Sequence, residues 1–220
     1  MKILALEFSS HLRSVAVAEA TGGVVKTLGA VTEHDEKPRG PLALVEQALV
    51  AAGVSREQIE SIAVGLGPGS YTGIRMAIAV AQGWELARGV RVLGVSSADC
   101  LAEKARQEQI AGPLHIAIDA QRNEFYLATY DLGQAGFAET AKLRLATREE
   151  VNACERTGGM VIGPEVTRWF QAGRIVVPDA ATLAALAAQR SHFVPADQLA
   201  PIYLREASFV KAPPPRVLPA

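Results

Sequence analysis

Aromatic side chains are scarce in this chain. Phe, Trp and Tyr together make up 5% of its 220 residues. Ala, Val, Leu and Ile must therefore build the core, in a chain long enough for one large domain or two small ones. Cysteine is scarcer still. Cys100 and Cys154 are too few for a disulfide framework or a cysteine-based zinc site and read as reduced, partly buried thiols. Neither charge is in surplus. A formal net charge of -1 excludes a protein that grips nucleic acid by charge alone, although a local basic patch is compatible with it.

Other absences narrow the function further. No apolar run is long enough to cross a bilayer. Met1-Lys2 leads directly into an apolar, strand-like segment, without the basic, apolar and small-residue order of a leader. The expected compartment is the cytoplasm, with no membrane contact. The four histidines, His11, His34, His115 and His192, offer no His-x-x-x-His pair, so a helical metal site is not expected. Gly-x-Ser-x-Gly is missing as well, and with it the elbow of a serine hydrolase. These gaps predict no metal site and no catalysis by the chain alone.

What is present is a repeated order of elements. Lys2–Phe8, Arg13–Ala20 and Val24–Val31 read as three short strands joined by tight turns. A loop over Thr32–Gly40 precedes a helix that starts at Pro41 and stops at Gly53. Ile59–Leu66 reads as a strand, Thr72–Arg88 as a long helix, Val90–Val95 as a strand, and the stretch after Ser96-Ser97 as a helix to about Gln107. The second half repeats the order. Leu114–Asp119, Glu124–Asp131 and Phe137–Leu145 read as strands. Thr147 with Glu150 forms a capping box for a helix to Cys154. Met160–Gly163, Glu165–Ala172, Arg174–Val177 and Ala180–Arg190 then read as strand, helix, strand, helix. The expected division is a lobe over 1–108, a smaller lobe over 109–208 and a Pro-rich tail over 209–220. Two facing halves of this kind predict an α/β protein of the actin-like ATPase (ribonuclease H-like) fold, with a mixed sheet flanked by helices in each lobe.

The most informative segment is Val64-Gly65-Leu66-Gly67-Pro68-Gly69-Ser70-Tyr71-Thr72-Gly73-Ile74-Arg75. A strand delivers the chain to a glycine-rich loop, and a helix starts directly after it with Ser70 or Thr72 able to cap. Free N–H groups at such a start, the helix dipole and Arg75 together attract anions. The plainer reading is a tight strand-to-helix turn, and the residues alone leave both open. The loop is neither a P-loop nor a dinucleotide fingerprint. The helix after it is apolar almost all round, broken only by Arg75, Gln82, Glu85 and Arg88. Such a helix is covered on more than one side. The second cover is either another part of this chain or a partner subunit, and Ala77, Ala81 and Gly83 would let a partner helix approach closely.

The loop motif Gly-Pro-Gly-Ser-Tyr-Thr-Gly-Ile-Arg resembles the hallmark of the TsaB (YeaZ) family, named for tRNA threonylcarbamoyladenosine biosynthesis. Three further stretches resemble that family in the same order: the opening strand Ile3–Ser10, the hairpin Asp119-Ala120-Gln121-Arg122-Asn123-Glu124-Phe125-Tyr126, and the closing Pro201-Ile202-Tyr203-Leu204-Arg205. Glu7-Phe8 departs from the family's Asp-Thr, and the His34–Gly40 loop departs from its usual pattern. The longer acid and bulky ring at the first turn are expected to crowd a phosphate there.

The resemblance implies a non-catalytic partner subunit. It would pair with the catalytic subunit TsaD, be joined by the ATPase TsaE, form homodimers in isolation, and meet tRNA only through the complex. Carried over, the interface would use the helices over 41–52 and 72–88, through Leu42, Val45, Leu49, Tyr71, Ile74, Ala77, Ile78, Ala81 and Trp84. Arginine at Ala77 or Ala81 is then expected to abolish pairing. Residues that could meet a nucleotide are Glu7, Ser9, Gly67, Gly69, Ser70, Thr72, Arg75 and Asp119. ATP or ADP with Mg²⁺ is expected at the junction of the complex rather than on this chain alone. The competing reading is an independent small ATPase or kinase, or a glycoprotease-like enzyme. Glu7 and Asp119 would serve the former, since each ends the first strand of its half; otherwise Asp119 simply closes a hairpin.

Overall fold

The computed structural model describes residues 1–34, 40–156 and 158–204. The Pro-rich tail, Arg205 and most of the 34–40 loop lie outside the described residues. Among the described residues, ten strands form two five-stranded sheets of the same topology. The first has the order β3-β2-β1-β4-β5, from β1 (Lys2–Glu7), β2 (Leu12–Thr21), β3 (Val24–His34), β4 (Ser61–Gly65) and β5 (Arg91–Val95). The second has the order β8-β7-β6-β9-β10, from β6 (Gly112–Asp119), β7 (Glu124–Leu132), β8 (Phe137–Thr147), β9 (Met160–Gly163) and β10 (Arg174–Ile175). In each, a three-stranded antiparallel meander is extended by parallel strands. The sequence's repeat of element order is thus a repeat of sheet architecture, the two-lobed α/β plan of the actin-like proteins.

Five helices among the described residues cover these sheets: α1 (Pro41–Ala52), α2 (Tyr71–Arg88), α3 (Ser97–Gln107), α4 (Arg148–Arg156) and α5 (Ala180–Ala188). Alternation along β1 shows how the layers form. Leu4 and Leu6 point to a core shared with α1 and α2, whereas Ile3 and Ala5 point to one shared with α5. Both faces of the first sheet are therefore buried. Helix α5 is apolar almost all round, and it lies between the first sheet and α3. Helix α3 in turn packs Leu101, Ala102 and Ala105 on Leu114, Ile116 and Tyr130 of the second sheet. So the helix next after the first sheet in sequence covers the second, and the last helix covers the first. The outer face of the second sheet is closed by Val151 of α4 with Val166 and Phe170.

The helix ends match the sequence signals. Ser70 Oγ accepts from Gly73 N at 3.2 Å at the start of α2. Thr147 and Glu150 bond each other's backbone N–H at 3.3 and 2.7 Å at the start of α4. Gly53 and Gly89 end α1 and α2 in the left-handed conformation.

One element differs from expectation. Glu165–Ala172 is not a helix; only the single 3-10 turn Val166–Arg168 forms. Val166, Trp169 and Phe170 are spaced like a helix face, but Glu165 and Trp169 flank the turn with non-helical backbone. A stretch this short between two strands gains too few bonds to offset helix nucleation, and one turn already buries Val166 and Phe170.

Candidate functional site

The signature loop packs directly on the turn after β1. Ser70 N donates to Ser9 O at 2.7 Å, and Gly67 exchanges bonds with Ser97 at the start of α3: Ser97 N to Gly67 O at 2.8 Å and Gly67 N to Ser97 Oγ at 3.2 Å. Two glycines are needed for this approach. A β-carbon on Gly69 would fall 2.0 Å from Ser9 O, and one on Gly73 would fall 2.0 Å from Phe8 O. Three of the loop's N–H groups, on Gly67, Ser70 and Gly73, are thus committed within the chain. The peptide bond between Gly67 and Pro68 is cis.

Glu7 lies beneath this loop, fully buried. Its Oε1 accepts from Ser9 N at 2.8 Å and its Oε2 from Ser97 Oγ at 2.9 Å. Burial pushes its carboxyl above the usual value; the bonds from Ser9 and Ser97 pull the other way, and nearby Asp179 adds to the rise. Phe8 is also fully buried, in the α1–α2 core. The expected crowding by Glu7 and Phe8 does not arise, because both side chains turn inward. The buried Cys100 thiol is raised too, by desolvation first and by the neighbouring Glu7 and Asp179 carboxylates next.

Between the two sheets opens a cleft of about 450 Å³. One wall carries Ser9, Ser10, His11, Gly69, Ser70 and Tyr71 from the first half. The other carries Asp119, Gln121, Tyr126, Glu165 and Trp169, with Tyr203 from the closing segment. Of the residues expected near a nucleotide, Ser9, Gly69, Ser70 and Asp119 line this cleft. Glu7, Gly67, Thr72 and Arg75 do not. Arg75 is exposed and lays its guanidinium over the Tyr71 ring, 4.2 Å from the centroid. Asp119 holds the hairpin turn, its Oδ1 accepting from Gln121 N at 2.7 Å and its Oδ2 from Gln121 Nε2 at 3.2 Å. Gln121, Arg122 and Asn123 all have positive φ there, a conformation that side chains seldom adopt in succession.

Residue reasoning did not single out Ser10, His11, Gln121, Tyr126, Glu165, Trp169 or Tyr203 as site residues. Tyr126 and Tyr203 did sit inside recognised motifs, whereas Glu165 and Trp169 carried no signal beyond helical spacing. The actin-like fold implies a magnesium nucleotide in such a cleft, and the residues do not fit one. The carboxylate of Glu7 is withdrawn, and among the described residues neither Lys nor Arg lines the walls, whereas two acidic side chains do. Among the described residues no group of three His, Cys, Asp or Glu side chains could hold a metal ion.

A second surface lies on the far side of the first sheet. Pro41, Leu42 and Val45 of α1, with Met76, Ala79, Val80, Gly83, Trp84 and Ala87 of α2, line an open groove of about 670 Å³. The polar residues that interrupt α2 are used within the chain. Gln82 Nε2 donates to Ala196 O, Glu85 Oε2 accepts from Ala196 N, and Arg88 Nη2 donates to Glu57 O. The groove's floor is apolar, with Leu42 66% exposed, and the exposed Arg56, Glu57 and Arg88 line its edge.

The residues expected at an interface divide accordingly. Leu42 and Trp84 line the groove, Val45 borders it but is only 2% exposed, and Tyr71 is exposed beside the other cleft. Leu49 and Ile78 are almost wholly buried. Ile74, Ala77 and Ala81 are fully buried in the chain's own core and offer nothing to a partner. That corrects their assignment: a helix apolar on every side does not reveal which stripe faces its own sheet, and the inward stripe is Ile74, Ala77, Ile78 and Ala81.

Residues 9–199 match the family model described as TsaD, tRNA N6-adenosine threonylcarbamoyltransferase. The solved structure of YeaZ from Pseudomonas aeruginosa is 31% identical, with a TM-score of 0.75 over 92% of this chain and 99% of that one. The chain belongs to the TsaB/YeaZ branch of the TsaD family. The tRNA threonylcarbamoyladenosine biosynthesis protein TsaB of Escherichia coli is 27% identical over 93% of this chain and 95% of its own length. The TsaB of Haemophilus influenzae is 26% identical over 97% and 98%. In this TsaB/YeaZ chain the glycine loop ties the first turn and the start of α3 into one unit. No described helix is long and apolar enough to cross a membrane.

Proposed function

We propose that this chain is a non-catalytic partner subunit in tRNA threonylcarbamoyladenosine biosynthesis. It pairs with a TsaD-type catalytic subunit through the α1–α2 groove, and TsaE joins that assembly. In isolation the same groove pairs two copies. The observation that carries this reading is the groove itself, a largely apolar surface edged by the charged Arg56, Glu57 and Arg88, with Gln82 and Glu85 of α2 engaged inside the chain. The names of its relatives supply the pathway. Its near-neutral charge supports indirect rather than direct contact with tRNA, in the cytoplasm. ATP or ADP with Mg²⁺ would lie at the junction of the complex, with its cationic contacts supplied by the partner, because the cleft offers neither Lys nor Arg among the described residues.

Reconstitution tests the reading. Threonylcarbamoyl transfer should require both this chain and TsaD. Ala79→Arg, on the exposed line of α2, should abolish co-elution with TsaD and transfer while leaving the thermal midpoint of the isolated chain within a few degrees. TsaD working at full rate alone, or binding the Ala79→Arg chain as well as the parent, would overturn the proposal.

A further inference from the structure

The inter-sheet cleft has a chemistry of its own, distinct from that of the groove. Four aromatic side chains line it, Tyr71, Tyr126, Trp169 and Tyr203, in a chain with only 5% aromatics. Tyr71 and Tyr203 are stacked with centroids 5.3 Å apart, and Trp169 is fixed edge-on against Phe125 at 5.3 Å. Two carboxylates, Asp119 and Glu165, share the walls. Glu165 Oε2 meets the exposed Arg168 at 3.2 Å, and its Oε1 stands 3.9 Å from His11 Nδ1. Asp119 has no Lys or Arg within 4.0 Å among the described residues, and its bonds to Gln121 fix its orientation without neutralising it.

We propose that this cleft recognises a compact organic cation, an alkylammonium or guanidinium head group. The electron-rich faces of Tyr and Trp rings attract such groups, and carboxylates pair with them at short range. One ring of the cleft already carries a guanidinium, that of Arg75 over Tyr71. A volume of about 450 Å³ admits an amine or the end of a Lys or Arg side chain. The same walls disfavour a polyphosphate, which would meet two like charges and, among the described residues, neither Lys nor Arg.

The full chain can be titrated with butylammonium chloride, with N-acetyl-arginine amide and with a capped lysyl tetrapeptide. Sodium chloride at matched ionic strength and Mg-ATP serve as comparisons. The Trp169 indole N–H signal, identified by its loss in Trp169→Phe, reports binding by NMR. Saturable shifts are expected with the cations at about millimolar concentration, and none with sodium chloride. The affinity should fall by about tenfold in Asp119→Asn and in Glu165→Gln, two variants on separate elements whose spectra also report whether each is folded. A peptide that binds more tightly than butylammonium assigns the cation to a polypeptide side chain; the reverse order assigns it to a free amine. Absence of any saturable shift, unchanged affinity in both carboxylate variants, or tighter binding of Mg-ATP than of every cation would overturn the proposal.

Discussion

Glu7 and Asp119 end equivalent strands of two sheets with the same topology, and the fold gives them opposite environments. Glu7 is fully buried, tied to Ser9 and Ser97 beneath the glycine loop. Asp119 stands at the edge of the cleft, tied to the hairpin that it closes. The difference lies in how each strand's closing turn is covered. In the first half the glycine loop folds over the turn and leaves no place for water. In the second half no such loop exists, and the equivalent turn stays open. Repeated architecture therefore does not repeat the site: one acid fastens the fold, and the other faces the open cleft.

The sharpest way to break this contrast is to remove both carboxylates in turn. Glu7→Ala leaves Ser9 N–H and the Ser97 hydroxyl without their acceptor and opens a void, so a loss of about 2–4 kcal/mol is expected from urea unfolding. The glycines that end the adjoining parallel strands offer a second comparison. A β-carbon on Gly163 would sit 2.0 Å from Ala117 O, a backbone atom; one on Gly65 would sit 2.2 Å from Glu7 Oε2, a side-chain atom. Gly163→Ala should cost about 2–3 kcal/mol and Gly65→Ala less, because a carboxylate can shift where a ladder carbonyl cannot. Equal losses would mean that Glu7 is held as rigidly as backbone.

A pH series sharpens the same point. Because burial raises the Glu7 carboxyl, the folded chain holds that proton more tightly than the unfolded chain does. The resulting stabilisation is complete below the ordinary value of 4.5 and is lost as pH rises through the folded value. The parent chain should therefore lose stability relative to Glu7→Gln as pH increases above 4.5. A difference between the two that stays flat, measured as urea midpoints at several pH values, would show that the Ser9 and Ser97 hydrogen bonds offset the desolvation of Glu7.

Much of the fold was legible because strands and helices announce themselves through periodicity and caps. Leu4 and Leu6 against Ile3 and Ala5 declare a strand buried on two faces, and Thr147 with Glu150 declares a helix start. The cross-covering of sheets by α3 and α5 was not legible, since an all-round apolar helix such as Ala180–Ala188 is indifferent to which sheet it covers. The same indifference concealed the inward stripe of Ile74, Ala77 and Ala81. Half of the cleft was legible through the glycine loop and Asp119. The rest was not, because Glu165 and Trp169 reach it from a single turn whose spacing imitates a helix.

The smallest expected effect belongs to Asp119. Its carboxylate organises a half-exposed turn in which water can take over the Gln121 N–H, so Asp119→Ala should cost under about 1 kcal/mol, and Asp119→Asn less still because an acceptor is retained. Three residues of left-handed backbone lie just beyond it, Gln121, Arg122 and Asn123, so any larger loss would have to come from that turn. Urea midpoints of Asp119→Ala and Glu7→Ala measured side by side decide the matter. If the two losses are equal, Asp119 is as structural as Glu7, and the contrast between a fastening acid and a cleft-facing acid collapses. If Asp119→Ala leaves stability nearly intact, the carboxylate is held at the cleft edge for something other than the fold.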